Sequence, residues 1–169
     1  MIDPREFDTF YLGARQRVLR CVFLLSGDLG EAQDATQEAF VRAWQRWDRI
    51  RSYADPESWV RTVACRIAVG RWRGLMRRAA ALRLLKAGSA RVAHGPSEER
   101  LDIVTALRAL PAGQRVAIVL HYFAGMPIAE IALQTDVAEG TVKARLSRGR
   151  KALAELLDSD AHREETSNV

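Results

Sequence analysis

Histidine and cysteine are scarce in this chain of 169 residues, numbering three and two. His94, His121 and His162 are scattered, with no ligand pair at helical spacing, and no glycine-rich phosphate loop is present. Cys21 and Cys65 fall on apolar faces of expected helices, so two buried thiols are expected rather than a metal site. No metal and no cofactor are therefore expected. Aromatic residues make up only 7% of the chain, and β-branched runs with strict alternation are missing, which argues against a sheet. No uncharged apolar run reaches the ~20 residues of a membrane span, so no membrane insertion is expected. The start, Met1 to Glu6, has no basic segment followed by an apolar core, so no signal peptide is expected. These absences point to a soluble cytoplasmic protein that is not an enzyme.

What is present is helical. Hydrophobic residues reach 48%, enough for packed cores, and they recur at helical spacing. The reading is all-α, with two small helical domains joined by a flexible linker. The net charge of +5 suits a polyanionic partner without proving one.

The spacing of Phe7, Phe10, Tyr11, Ala14, Val18, Cys21, Val22 and Leu25 predicts a first helix, broken at Ser26-Gly27. Asp28 with Glu31 has the pattern of a capping box and opens a second helix, expected to run to about Trp47. Its stripe is Ala32, Ala35, Ala39, Phe40, Ala43, Trp44 and Trp47, and residues 48–54 are expected to form a loop. Asp55-Pro56-Glu57 predicts a third start, leading a helix to about Lys86. Glycines and Pro96 between residues 88 and 97 mark the linker, and Ser97-Glu98-Glu99 restarts helix. The first domain is thus set at 7–87, the second at 98–157, and 158–169 is expected to be a frayed polar tail.

Charge is segregated along this map. No Asp or Glu occurs from Ser58 to Ser97, where Arg66, Arg71 and Arg73 accumulate beside Trp59 and Trp72. That composition suits a groove that follows phosphates and stacks on opened bases. The plainer reading is a core Trp59 and solvated arginines, and for Trp59 it is preferred. The second helix shows the opposite sign, with Asp34, Gln37 and Glu38 on its outer face, which suits a protein partner better than a nucleic acid.

From Pro111 to Leu157 the chain reads as two short helices and a longer basic one. Val116, Val119, Leu120 and Phe123 mark the first, stopped at Gly125. Ile128, Ile131 and Ala132 mark the second, and Val142, Leu146, Gly149, Leu153 and Leu156 the third. The third exposes Lys143, Arg145, Arg148, Arg150 and Lys151. A short helix, a tight turn and a basic helix make a helix-turn-helix, whose second helix enters a DNA major groove. The plainer alternative is a basic amphipathic helix with solvated arginines. Against it, the cations begin in the N-terminal turns, where the helix dipole disfavours them.

The run from Asp34 to Trp44, DATQEAFVRAW, resembles the core-polymerase-binding helix of bacterial sigma factors. Leu110-Pro111, Gln114-Arg115, Ile131-Ala132 and the run from Gly140 to Arg150 resemble their C-terminal promoter-reading domain. The size, without long insertions, resembles the extracytoplasmic-function group of the sigma-70 family. The resemblance implies that core RNA polymerase and promoter DNA are the partners. It implies an N-terminal domain that binds polymerase and melts the −10 element, and a helix-turn-helix that reads the −35 element. It carries polymerase binding to Asp34, Gln37, Glu38, Phe40 and Trp44, and −35 recognition to Thr141, Lys143, Arg145, Ser147 and Arg148. Arg145 and Arg148 suit bases or phosphates equally. The −10 and melting role is placed on Arg66, Arg71, Trp72 and Arg73. An anti-sigma factor is admissible as a further partner, although no residue identifies one.

Two departures from the family pattern stand out. Asp136 occupies the usual place of the turn glycine, and Asp tolerates the left-handed backbone that such a turn needs. Arg66 and Gly70 replace the Asn and Asp that family members commonly show, which puts the −10 preference in doubt. The competing reading is a helix-turn-helix regulator that binds duplex operator without polymerase. It leaves the acidic second helix unexplained.

Overall fold

Asp28 stands at the head of the second helix with extended backbone, its carboxylate accepting from the Glu31 amide at 2.8 Å. The reciprocal half of the expected capping box is replaced. The Asp28 amide donates to Ser26 Oγ, while the Glu31 carboxylate turns to Arg71 at 3.6 Å. Asp55 caps the later long helix in the same way, accepting from the Ser58 amide at 2.8 Å.

The computed structural model describes residues 4–85 and 103–166, and every regular element among them is helical. The first four are α1 (Pro4–Ser26), α2 (Leu29–Trp44), α3 (Trp47–Ile50) and α4 (Pro56–Leu85). After them come α5 (Ile103–Ala109) and α6 (Ala112–Ile118), which runs into a π-helical turn over Val119–Phe123. The last are α7 (Ile128–Thr135) and α8 (Glu139–Thr166). The linker assigned to 88–97 and the restart at Ser97 lie outside the described residues.

Helices α1, α2 and α4 pack mutually around Val18, Val22, Val60 and Val69. Alanines at 32, 35, 39 and 43 on α2, and at 64 and 68 on α4, are buried and let the three backbones approach closely. Beside them Phe7, Phe10, Phe40 and Trp47 form an aromatic cluster with centroids 4.8–6.1 Å apart. The expected loop at 48–54 therefore needs correction. Residues 47–50 form one helical turn, because Trp47 and Ile50 are both drawn into the core. Trp44, placed on the inward stripe from sequence, sits at its edge, 39% exposed, with one side on Phe7.

In the second half, Gly125 ends the π-helical turn at φ +71°, and Asp136 ends α7 in the left-handed region at φ 57°, as expected. Val142, Leu146 and Gly149 of α8 face inward. Gly149 is a contact site in its own right: a Cβ there would stand 2.9 Å from Ile118 Cγ1, so α6 and α8 cross at a distance only glycine allows. Residues 158–166, expected to form a frayed tail, continue α8. Ala161, Arg163, Glu164 and Glu165 are tolerant of helix and extend an existing one, which requires no new nucleation.

The two halves touch. The end of α1 meets α5 and the π-helical turn, and α4 meets α7. Arginines make much of this junction: Arg108 donates to the Gly27 carbonyl at 2.7 Å and Arg115 to the Leu25 carbonyl at 3.3 Å. Both carbonyls belong to the C-terminal end of α1, where cations are favoured. Burial at this junction lowers the Arg115 pKa, with the Arg108 charge adding to the effect.

Candidate nucleic-acid and polymerase interfaces

Three faces carry the residues singled out from sequence, and each is built differently. On α2, Asp34, Gln37 and Glu38 point outward. Phe40 does not: it is 3% exposed and packed edge-on against Tyr11, so its part in this face is to seat the helix. The exposed apolar side chains nearby are Val41 and Trp44.

On α4, the three arginines assigned to the −10 element are all paired. Arg71 donates to Glu38 at 3.0 Å and lies 3.6 Å from Glu31, bridging α4 to the acidic face of α2. Arg66 holds Glu130 of α7 at 2.5 Å. Arg73 donates to the Gln134 carbonyl at 3.0 Å and meets Asp136 at 2.9 Å. The Asp that replaces the turn glycine is thus joined to the other half of the chain. Trp72 is half-buried, and Trp59 packs against the core as preferred. Between α2 and α4 runs a groove of about 940 Å³, lined by Glu38, Arg42, Trp59, Arg66, Arg71 and Arg78.

On α8, the exposed face carries Thr141, Lys143, Ser147 and Arg148. Among the described residues no carboxylate lies within ion-pair distance of Lys143 or Arg148. Arg145 is half-buried, its guanidinium lying over Gly113 at the start of α6, where a Cβ would come within 3.0 Å of Nε. Arg150 donates to the Tyr122 hydroxyl at 3.0 Å. Arg66, Arg71 and Arg73 of α4 are paired within the chain, whereas the leading turns of α8 keep their charge.

Glu130, Gln134 and Asp136 were not singled out as partners of α4 from sequence. They lie 61 to 64 residues from the arginines they meet, and no local pattern carries that pairing. Among the described residues, no group of three or more His, Cys, Asp or Glu is placed to hold a metal, and no helix is long and apolar enough to cross a membrane.

Residues 10–78 match the family model for Sigma-70 region 2, and residues 100–153 that for Sigma-70, region 4. The ECF RNA polymerase sigma factor SigL of Mycobacterium tuberculosis is 34% identical over 145 residues, which cover 79% of this chain and 78% of SigL. The chain belongs to the sigma-70 family, in its extracytoplasmic-function group.

Solved sigma factors carry the same fold. RpoE of Bartonella quintana, in complex with the anti-sigma factor NepR, superposes with a TM-score of 0.58 at 28% identity, covering 92% of this chain and 99% of RpoE. CnrH, in complex with the cytosolic domain of CnrY, gives 0.52 at 26%, covering 94% and 91%. In this sigma factor α1 to α4 fall largely within the region 2 match, while α5 to α7 and the first half of α8 fall within region 4.

Proposed function

We propose that this chain is a transcription initiation factor that binds core RNA polymerase and directs it to promoters through separate −10 and −35 contacts. It acts in the cytoplasm and catalyses nothing itself; the polymerase performs the chemistry. The region 2-like domain spans 7–87 and the region 4-like domain 98–157.

One observation supports this reading over that of an operator-binding regulator: one chain carries two unlike faces on separate elements, a polar one with exposed Val41 and Trp44 on α2 and a cationic one on α8. The α2 face, where Asp34 and Gln37 stand near exposed Val41 and Trp44 and Glu38 is held by Arg42 and Arg71, suits a protein surface. The unpaired cations at the leading turns of α8 suit phosphates and base edges in a major groove. On α4, Arg66 and Arg73 reach DNA only by exchanging Glu130 and Asp136 for phosphates. These pairs are part-exposed, and such pairs are worth at most about 1 kcal/mol each, so the exchange is easily driven. A protein inhibitor of the anti-sigma class is a further expected partner, as RpoE was solved with the anti-sigma factor NepR.

A mobility-shift assay with core polymerase tests the reading. Promoter duplex should shift specifically only when chain and core polymerase are both present. A tight, sequence-specific shift by the chain alone, unchanged by core enzyme, would establish the regulator instead.

A further inference from the structure

Across the packing of α1 against α4, the sulfurs of Cys21 and Cys65 stand 3.7 Å apart. Both side chains are buried, at 4% and 0% exposure, and both are free thiols. A disulfide needs about 2.05 Å between sulfurs, so the remaining gap is about 1.7 Å, within reach of a side-chain rotation and a small shift of one helix.

The surroundings are cationic. Arg61 lies one turn before Cys65 on α4, and Arg17 one turn before Cys21 on α1. Both hold Glu57: Arg17 through hydrogen bonds of 2.9 and 2.6 Å, Arg61 at 3.6 Å. Of these charges Arg61 is the one that acts on the two sulfurs, favouring the thiolate at each. The Arg61 Nε is buried without a hydrogen-bond partner. Burial opposes the thiolate, the reactive form of cysteine, and the Arg61 cation acts in its favour.

We propose that Cys21 and Cys65 are a peroxide-reactive dithiol, which a hydroperoxide converts to an intramolecular disulfide joining α1 to α4. Cys21 is the attacking sulfur. Either sulfur can donate across the 3.7 Å contact; with Cys65 as donor, the Cys21 thiol is held below its ordinary pKa against the effect of burial, with Arg61 helping. That bond, with burial, pushes the Cys65 thiol well up. The Cys21 thiolate attacks one peroxide oxygen; a sulfur–oxygen bond forms and the oxygen–oxygen bond breaks. The leaving hydroxide takes the proton that Cys21 gave up and departs as water. Cys65 then attacks the Cys21 sulfenic acid, forming the sulfur–sulfur bond and expelling the sulfenic oxygen, which leaves as water with the Cys65 proton. The thiol pair loses two electrons and the peroxide gains them.

The competing account is that both thiols only fill the core. The two separate when the full chain, reduced and then freed of reductant, is treated with hydrogen peroxide and analysed by intact mass and by thiol titration after unfolding. A dithiol loses two hydrogens and both titratable thiols without dimerising, yields a cross-linked peptide pair containing Cys21 and Cys65, and recovers with dithiothreitol. The oxidised chain also unfolds at a higher temperature, because the bond closes a long loop. Cys65→Ala should stop at a Cys21 sulfenic acid trapped by a dimedone reagent, and Cys21→Ala should oxidise several-fold more slowly. Arg61→Gln, which keeps both thiols, should slow disulfide formation and move its pH midpoint upward. Thiols that survive peroxide, take up oxygens separately, or pair only between chains would overturn the proposal, and the wild-type measurement alone suffices for that.

Discussion

Arg71 of α4 donates to Glu38 of α2 at 3.0 Å, so a residue assigned to promoter melting and one assigned to polymerase binding neutralise each other. Glu38 also holds Arg42 one turn further along α2. Glu38→Lys with Asp34→Lys should therefore weaken binding to core polymerase while leaving helicity near wild type. The pair is part-exposed, so a double-mutant cycle on Glu38→Gln and Arg71→Ala should return a stability coupling of roughly 0.3–1 kcal/mol. Chemical denaturation of the four proteins gives that figure; a coupling of zero would mean that the contact is not maintained in solution.

Asp136 is the one described non-glycine residue with positive φ, and it also meets Arg73. Its two roles can be separated by substitution. Asp136→Gly removes the ion pair and relieves the backbone, whereas Asp136→Ala removes the pair and keeps the strain. The alanine variant should be less stable than the glycine variant by about 1 kcal/mol. Equal denaturation midpoints would show that the turn carries no strain.

Gly149 should not tolerate even a methyl group. Alanine gains up to ~1 kcal/mol in helix propensity, but overpacking against Ile118 costs about 1–3 kcal/mol, so Gly149→Ala should be a net destabilisation. Thermal unfolding should report a lower midpoint. Gly140→Ala, on the same helix with nothing within 4 Å of its Cβ position, is the control and should not fall.

Arg66→Ala with Arg73→Ala should leave polymerase binding intact yet reduce opening of a duplex promoter. Permanganate reactivity on duplex and pre-melted templates measures this. The expected result is a defect on the duplex that the bubble largely rescues, with a shallower salt dependence than wild type. Equal reactivity on the duplex would leave these arginines with only their contacts to α7.

Much of this architecture was legible locally. The caps at Asp28 and Asp55, the stop at Gly125 and the left-handed turn at Asp136 each follow from one residue's chemistry, and periodicity placed Val142, Leu146 and Gly149 inward. Errors arose where packing overrode local pattern. Trp47 and Ile50 pulled a turn of helix out of an expected loop, and Trp44, expected on the inward stripe, ended at its edge. At the tail, a patternless polar run still extends a helix over 158–166. Illegible altogether were the pairings of Arg66, Arg71 and Arg73, because an acid-free stretch says nothing about carboxylates brought to it from elsewhere in the chain.

The central claim is that this chain confers promoter choice on core polymerase through the cations of α8, and run-off transcription tests it most directly. Core enzyme with the wild-type chain should initiate at discrete sites in fragmented genomic DNA that core enzyme alone does not use. Removing a base contact costs about 1–3 kcal/mol and relaxes sequence choice, while removing a phosphate contact weakens all sites alike. Lys143→Ala with Arg148→Ala should therefore lower initiation at those sites and shift base preference at the −35 position if either side chain reads a base. Discrete initiation undiminished in the double variant would contradict the assignment to α8, and the absence of chain-dependent start sites with wild-type protein would contradict the account as a whole.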